Sequence, residues 1–109
     1  MTAVAVRSLS SADRDFDAIV DHYIHTANFD VAVRFVQALD AAYAVLAQAP
    51  EAGAPILGAA IGLPGLRTWK LRSFPHLICY THAEQVLVWR ILHAQRDLAA
   101  ALAETAFPN

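Results

Sequence analysis

The C-terminal half of the chain contains the side chains that could carry out chemistry on a phosphodiester. Cleavage of RNA by its own 2′-hydroxyl needs a base for the hydroxyl, an acid for the leaving oxygen and cations around the phosphate. The residues of suitable type are Arg67, Lys70, Arg72, Tyr80, Arg90 and His93. If the chain is a nuclease, we expect Arg67, Arg72, Arg90 and His93 to be its catalytic residues.

Each of the C-terminal residues also has a structural interpretation. His93 ends an apolar stretch, where a histidine can bond the backbone and fix the turn into a following helix. Arg90 lies three positions earlier, on the opposite side of the strand, so its guanidinium needs a carboxylate. That carboxylate can belong to a partner protein or to this chain. Arg96 can form an ion pair with Asp97, which stabilises the fold by ~0–1 kcal/mol if it is exposed. Alternatively, Asp97 can cap the following helix.

The sequence gives little support for a metal or a cofactor. His22 and His25 have helical spacing, but no third ligand stands near them. Cys79 alternates into an apolar strand and is expected to be a small core residue. No glycine-rich loop precedes a helix as a phosphate cradle would require. We therefore expect no cofactor and no metal site.

Length and composition indicate one small domain over residues 1–109. The apolar fraction is 57%, but no apolar run approaches the ~20 residues that span a bilayer. The N-terminus lacks the basic-then-apolar order of a secretion signal. A single cysteine excludes an intramolecular disulfide. These features favour a cytoplasmic protein without a membrane partner.

Charge is unevenly distributed along the chain. The net charge is −2, which argues against direct general binding of nucleic acid. Residues 1–66 contain three basic and seven acidic groups, whereas residues 67–109 contain five basic and three acidic groups. The positive charge is therefore concentrated in the C-terminal part, either to meet a partner or simply on a solvated sheet face.

Hydrophobic spacing predicts the elements that position these residues. Residues 3–9 predict a strand, and Ser10 or Ser11 can cap a helix that extends from Asp13 to about residue 28. Asp30 can cap a second helix, ending near residue 48, so that the two form an antiparallel hairpin. Residues 49–65 contain all four glycines and predict a loop, tethered to the core by its apolar side chains. Those side chains are Ile56, Leu57, Ile61 and Leu63.

Three further strands are predicted at residues 66–72, 77–81 and 86–92, followed by a short alanine-rich helix through residue 105. Short turns join the strands as an antiparallel meander, with the last strand in the centre. The expected fold class is α+β. A small antiparallel sheet, formed by the N-terminal strand plus the three-stranded meander, carries the helical hairpin on one face, with a short C-terminal helix.

Six short motifs, in this order and at this spacing, resemble the RelE/ParE toxin superfamily, and its ParE branch in particular. They cover about residues 12–98. The residues that carry the resemblance are Ala12, Asp15-Phe16, Ile19 and Tyr23; Phe35 and Leu39; Pro50-Glu51-Ala52-Gly53; Gly65-Leu66-Arg67-Thr68-Trp69; Ile78-Cys79-Tyr80; and Arg90-Ile91-Leu92-His93-Ala94-Gln95-Arg96-Asp97-Leu98.

The resemblance implies a toxin of a type II toxin–antitoxin system of the plasmid-stabilisation type, with a cognate ParD-like antitoxin. ParE-like members poison DNA gyrase without chemistry of their own, whereas RelE-like members cut mRNA on the ribosome. The chain departs from the nuclease pattern: it is acidic, it has Thr81 where many relatives have arginine, and no tyrosine follows His93. We therefore expect a gyrase inhibitor that is not an enzyme; the alternatives are a ribosome-dependent endoribonuclease and a non-toxic remnant that only binds antitoxin.

Strand alternation separates two faces of the first meander strand. Trp69 is expected to pack on the helices, and Lys70 and Arg72 to point outward. The residues expected to contact antitoxin or target are Lys70, Arg72, Arg90 and Arg96.

Overall fold

The computed structural model describes residues 2–104 and contains the predicted elements in the predicted order. The elements are β1 (Val6–Ser8), α1 (Ser10–Thr26), α2 (Phe29–Gln48), α3 (Ile56–Ala60), β2 (Arg67–Lys70), β3 (His76–His82), β4 (Val86–His93) and α4 (Leu98–Glu104). The short helix α3 was not predicted and lies within the expected loop. Thr105, predicted to end the last helix, lies outside the described residues.

The sheet has the strand order β1-β4-β3-β2. The pairs β2–β3 and β3–β4 are antiparallel, which confirms the meander and the central position of β4. β1 lies parallel to β4, with Val6 beside Val86, so the sheet is mixed rather than wholly antiparallel. The physical reason is the connection: β1 reaches the sheet through the α1–α2 hairpin and the meander, a long crossover that permits parallel pairing.

Both faces of the sheet are covered. The predicted helical hairpin packs on one face, where Phe35 and Leu46 of α2 meet Ile78 and Val88. The opposite face holds a second apolar cluster that α4 and the loop around α3 cover; its fully buried members are Leu66, Cys79, Leu92, Ala101 and Leu102. Leu57, Ile61 and Leu63 tether the loop as predicted. The prediction for Ile56 was wrong, because its side chain begins α3 on the solvent side and is 77% exposed.

The helix starts differ from the predicted caps. Helix α1 begins at Ser10 after Leu9, and no side chain caps it. Helix α2 is capped by Asn28, whose side-chain oxygen accepts a hydrogen bond of 3.0 Å from the Val31 amide, and not by Asp30. Asp97 does cap α4, through a 3.0 Å bond from the Ala100 amide. None of the helices within residues 2–104 is long and apolar enough to cross a membrane.

Candidate functional site

Arg90 stands at a bulge in β4. Cys79 of β3 lies opposite Arg90, while the next residue, Tyr80, lies opposite Val88, so Trp89 is the extra residue. The Arg90 guanidinium holds the Asp15 carboxylate in a fork, with Nε 2.6 Å from Oδ2 and Nη2 2.9 Å from Oδ1. Its Nη1 donates to the Ala101 carbonyl of α4 at 3.0 Å. Both side chains of the ion pair are more than four-fifths buried.

The first turns of α1 cover the edge of β4 where β1 ends. β1 pairs with β4 only as far as Ser8 and Val88. Beyond that point, Ser11 Oγ donates to the Trp89 carbonyl at 2.6 Å, and the Ile91 amide donates to Asp15 Oδ2 at 2.9 Å. The Asp15 carboxylate therefore accepts hydrogen bonds both from the edge of β4 and from the buried guanidinium of Arg90. The hydrogen bond that the Arg90 guanidinium donates to the Asp15 carboxylate raises the pKa of Arg90.

Of the two carboxylates that the sequence left open for Arg90, the structure contains the one within the chain. The guanidinium is occupied by Asp15 and Ala101, and it is largely enclosed. A cation in this position organises the fold. It is not presented to the carboxylates of a partner.

Arg67 and Tyr80 hold the loop that follows α2. Arg67 Nη1 donates to the carbonyls of Glu51 and Gly53, at 3.1 and 2.8 Å. Tyr80 is fully buried; its hydroxyl donates to the Pro50 carbonyl at 2.8 Å and accepts from the Gly53 amide at 2.8 Å. Burial raises the pKa of Tyr80. A Cβ atom at position 53 would lie 2.5 Å from the Tyr80 hydroxyl, so only glycine fits beneath this clamp.

His93 and Arg96 occupy the turn between β4 and α4. His93 Nδ1 accepts a hydrogen bond of 3.1 Å from the Gln95 amide. This is a bond to the backbone that fixes the turn, the structural role that the sequence analysis gave as the alternative to catalysis. Arg96 Nη2 lies 3.6 Å from Glu104 Oε2, so Arg96 forms its ion pair with Glu104 and not with Asp97 as predicted. The side chains of Arg96 and Glu104 are both largely exposed. Such an exposed pair is worth at most about 1 kcal/mol.

The four residues that the nuclease hypothesis requires do not converge. Arg67 lies opposite Tyr80 on the helical-hairpin side, whereas Arg90 lies opposite Cys79 on the other side of the sheet. Two strand spacings, or about 10 Å, separate their backbones as well. His93 lies opposite His76 at the end of the sheet, and Arg72 follows β2.

His76 was not singled out by the sequence, yet it is the one buried histidine among the residues described. Its ring packs edge-on against Phe35 and Tyr23, and its Nδ1 has no hydrogen-bond partner within the described residues. Burial, and after it the charges of the neighbouring His93, Lys70 and His22, lower the pKa of His76 to about 4. A run of turn residues around Phe74-Pro75 gave no signal that the following histidine is enclosed.

Other predicted side chains have plain structural roles. Cys79 is buried, and burial raises the pKa of its thiol to about 12, so it is not a nucleophile. His25 is exposed and its Nδ1 lies 2.8 Å from the Asp21 carbonyl oxygen of its own helix. No group of three or more His, Cys, Asp or Glu side chains within residues 2–104 is arranged to hold a metal ion.

A groove of about 880 Å³ separates helix α2 from strand β2 and the turn after it. It is lined by Val31, Arg34, Gln37, Ala38, Ala41, Ala42, Val45, Trp69, Lys70, Arg72, Ser73 and Phe74. The floor is apolar, and Val45 on the helix wall is 41% exposed. Three lining residues are cationic and none is acidic. We call this feature the α2–β2 groove.

The three cations of the α2–β2 groove are not equivalent. The Lys70 ammonium donates to the Phe74 carbonyl at 2.8 Å and to the Leu71 carbonyl at 3.3 Å, so it is held against the turn. Arg34 and Arg72 are exposed, and neither has a hydrogen-bond or ion-pair partner in the part of the chain that the structure describes. These two guanidinium groups, on opposite walls, are available to a ligand.

Comparison with known proteins identifies the family. The family described as the ParE toxin of the type II toxin-antitoxin system, parDE, matches residues 6–98. The chain belongs to the ParE toxin family. It is a toxin of the type II toxin–antitoxin class, as the sequence motifs predicted.

A solved structure supports the ParE assignment. The chain is similar to the one titled "Chromosomal ParDE TA system from P. aeruginosa", with 26% sequence identity and a TM-score of 0.70. The similarity covers 84% of this chain and 96% of that one. No curated protein is significantly similar to the chain. The family match includes β1, the α1–α2 hairpin and the whole meander, and therefore both walls of the groove.

Sequence reasoning on this ParE chain found one wall of the groove and missed the other. Lys70 and Arg72 were predicted to face outward, and both are exposed. Arg34 was missed. The available signal was a second stripe on α2, at Val31, Ala38, Ala41 and Val45, which repeats at helical spacing beside the core stripe. Small alanines gave that stripe too little hydrophobicity to stand out.

Proposed function

We propose that this ParE-family toxin inhibits DNA gyrase by binding it, without chemistry of its own, and that a cognate ParD-like antitoxin neutralises it by occupying the α2–β2 groove. The family membership over residues 6–98 supports a toxin of this type. The similar solved structure is titled as a ParDE system, which supports an antitoxin partner.

The α2–β2 groove is the observation that carries the proposal. Its apolar floor leaves Val45 and Trp69 partly uncovered, and its rim bears three cations with no carboxylate among the lining residues. An exposed apolar groove with a polar rim is typical of a protein-binding site. An acidic, amphipathic segment complements it, because arginine holds carboxylates in bidentate pairs.

The arrangement of the nuclease candidates favours action by binding. Arg67 and Arg90 are committed to Gly53 and Asp15, and His93 to the turn at Gln95. General acid–base cleavage needs its groups within hydrogen-bond reach of one phosphate. Side chains on opposite faces of a sheet do not meet this requirement.

Two assays with the purified protein test the proposed target. We expect inhibition of gyrase supercoiling and no cleavage of mRNA on translating ribosomes. The variant His93→Ala should inhibit gyrase as the parent does, because its ring only fixes a turn. Ribosomal cleavage without gyrase inhibition, abolished by His93→Ala, would refute the proposal in favour of an endoribonuclease. Full growth on induced expression without antitoxin, with gyrase unaffected, would instead identify a non-toxic remnant.

A further inference from the structure

The α2–β2 groove has a cationic end and an apolar end. Phe35 of α2 packs edge-on against Phe74, with ring centroids 5.4 Å apart, so the first turns of α2 lie beside the turn after β2. Arg34 directly precedes Phe35, and Arg72 lies two residues before Phe74. Both arginines therefore line the groove at the same end. Lys70 donates to the Phe74 carbonyl there.

The opposite end of the groove is uncharged. Its helix wall consists of Ala41, Ala42 and Val45, near the end of α2. Beyond it, Ala54 exchanges two main-chain hydrogen bonds with Thr68, at 2.9 and 3.0 Å, which closes that part of the β2 edge. Arg34 and Val45 are eleven residues apart, about 16 Å along a helix.

The direction of helix α2 adds to this polarity. The N-terminus of a helix carries a partial positive charge from its unpaired amides, and the C-terminus carries the opposite charge. Helix α2 begins after Asn28, on the side of Arg34. Asp30 in the first turn is exposed and does not line the groove. The dipole and the arginines therefore attract negative charge to the same end.

We infer that the α2–β2 groove fixes the orientation of the antitoxin segment: its carboxylates bind between Arg34 and Arg72, and its small apolar side chains lie against Ala41, Val45 and Trp69. This inference rests on the proposed function and extends it, because it assigns the recognition of charge to two residues on opposite walls. The Lys70 ammonium holds the turn through its hydrogen bonds to the Leu71 and Phe74 carbonyls. Its positive charge still attracts the carboxylates of the antitoxin segment.

Polarity of this kind predicts separate effects on association and dissociation. Charges that steer an acidic partner act mainly on the association rate and are weakened by salt. Apolar contacts at the other end act mainly on the dissociation rate. The two ends can therefore be distinguished by kinetics, even where the loss of affinity is the same.

Charge reversal at the cationic end is the first experiment. The probe is the antitoxin encoded by the reading frame next to this gene, purified from the co-expressed complex and added back to the isolated toxin. We expect Arg34→Glu and Arg72→Glu each to slow association about tenfold or more at low salt and to flatten its salt dependence. Val45→Asn, which introduces a polar side chain without a charge, should accelerate dissociation and leave the salt dependence of association intact. Arg14→Glu, an exposed reversal on α1, is the matched control and should change neither beyond a small general effect of net charge.

Crosslinking tests the orientation directly. Val31→Cys marks the cationic end and Val45→Cys the apolar end, each combined with Cys79→Ala, and the antitoxin carries one cysteine at either end of its toxin-binding segment. We expect the acidic end of the segment to crosslink to position 31 and the apolar end to position 45. The reverse pattern, or equal crosslinking at both positions, would overturn the inference.

The outcomes separate the inference from the function on which it rests. If the parent toxin binds antitoxin tightly and both arginine reversals bind equally well, the orientation by charge is wrong and the antitoxin proposal stands. If the parent binds no antitoxin, both are wrong. Inhibition of gyrase by the parent toxin is measured independently and bears on the target alone.

Discussion

A single guanidinium, that of Arg90, joins three segments of the fold. It holds Asp15 of α1 in a fork and donates to the Ala101 carbonyl of α4, while its own backbone lies in β4. We expect Arg90→Ala to lower the free energy of unfolding by about 3 kcal/mol, because it leaves a largely buried carboxylate without its cation. Chemical denaturation, followed by circular dichroism, measures this loss.

The exposed pair of Arg96 and Glu104 is the matched control for Arg90. Arg96→Ala should lower the free energy of unfolding by less than about 1 kcal/mol, because both partners are solvated.

A double-mutant cycle tests the pair of Asp15 and Arg90. Asp15→Ala combined with Arg90→Ala should lower the free energy of unfolding by less than the sum of the single changes. Unchanged stability in Arg90→Ala, together with weaker antitoxin binding, would return Arg90 to the partner-binding role that the sequence suggested.

Buried His76 makes the fold sensitive to acid. Its folded-state pKa is lowered from 6.5 to about 4, by burial first and then by the nearby His93, Lys70 and His22, which are all basic. The unfolded chain therefore takes up a proton on this ring below pH 6.5, and the folded chain takes it up only near pH 4. Stability from this group is complete above pH 6.5 and is lost as the pH falls toward 4, by up to about 3 kcal/mol.

Replacement of His76 by an aromatic residue without a titratable group tests this acid sensitivity. We expect His76→Phe to keep the ring contacts with Phe35 and Tyr23 and to lose less stability than the parent between pH 6.5 and 4. The control is His82→Gln, at the other end of the same strand, whose pH dependence should follow the parent's. Parallel stability curves for the parent and His76→Phe would show that His76 does not cause the effect.

Among the secondary-structure elements, those with strong periodicity were predictable and those that depend on distant contacts were not. The apolar stripes of α1 and α2 and the runs of β3 and β4 predicted type and order correctly. The parallel pairing of β1 was missed, because a three-residue strand carries no mark of its direction. Helix α3 was missed because it is five residues long and stabilised by burial against Leu66 rather than by propensity.

The start of α2 shows how closely matched alternatives limit the prediction of a cap. Asn28 and Asp30 are both good cap residues, and the structure uses Asn28. We expect Asn28→Ala to cost about 1 kcal/mol of unfolding free energy, because the Val31 amide loses its acceptor. Asp30→Ala should cost a few tenths, through the helix dipole alone. Thermal unfolding of the two variants compares them, and a larger loss for Asp30→Ala would contradict the observed cap.

At the scale of the whole molecule, the candidate site was only half visible in the sequence. The charge asymmetry correctly indicated cations on the sheet side, at Lys70 and Arg72. Which cations are free depends on tertiary contacts that no local pattern encodes. Arg90 binds Asp15, which lies 75 positions away in the sequence. Arg34 shares a groove with Lys70 and Arg72 only because α2 lies beside β2 in the fold.

Binding at the α2–β2 groove should stabilise the entire toxin, because a ligand that binds only the folded state shifts the unfolding equilibrium. With free antitoxin at a hundred times its Kd, the gain is about 2.7 kcal/mol. For a domain of this size, that raises the Tm by roughly 10 °C or more. At the same antitoxin concentration, Arg34→Glu with Arg72→Glu should show a much smaller rise, and Arg14→Glu the full one. Differential scanning fluorimetry of the parent, the double variant and Arg14→Glu makes the comparison, and an equal rise in all of them would show that Arg34 and Arg72 do not bind the antitoxin.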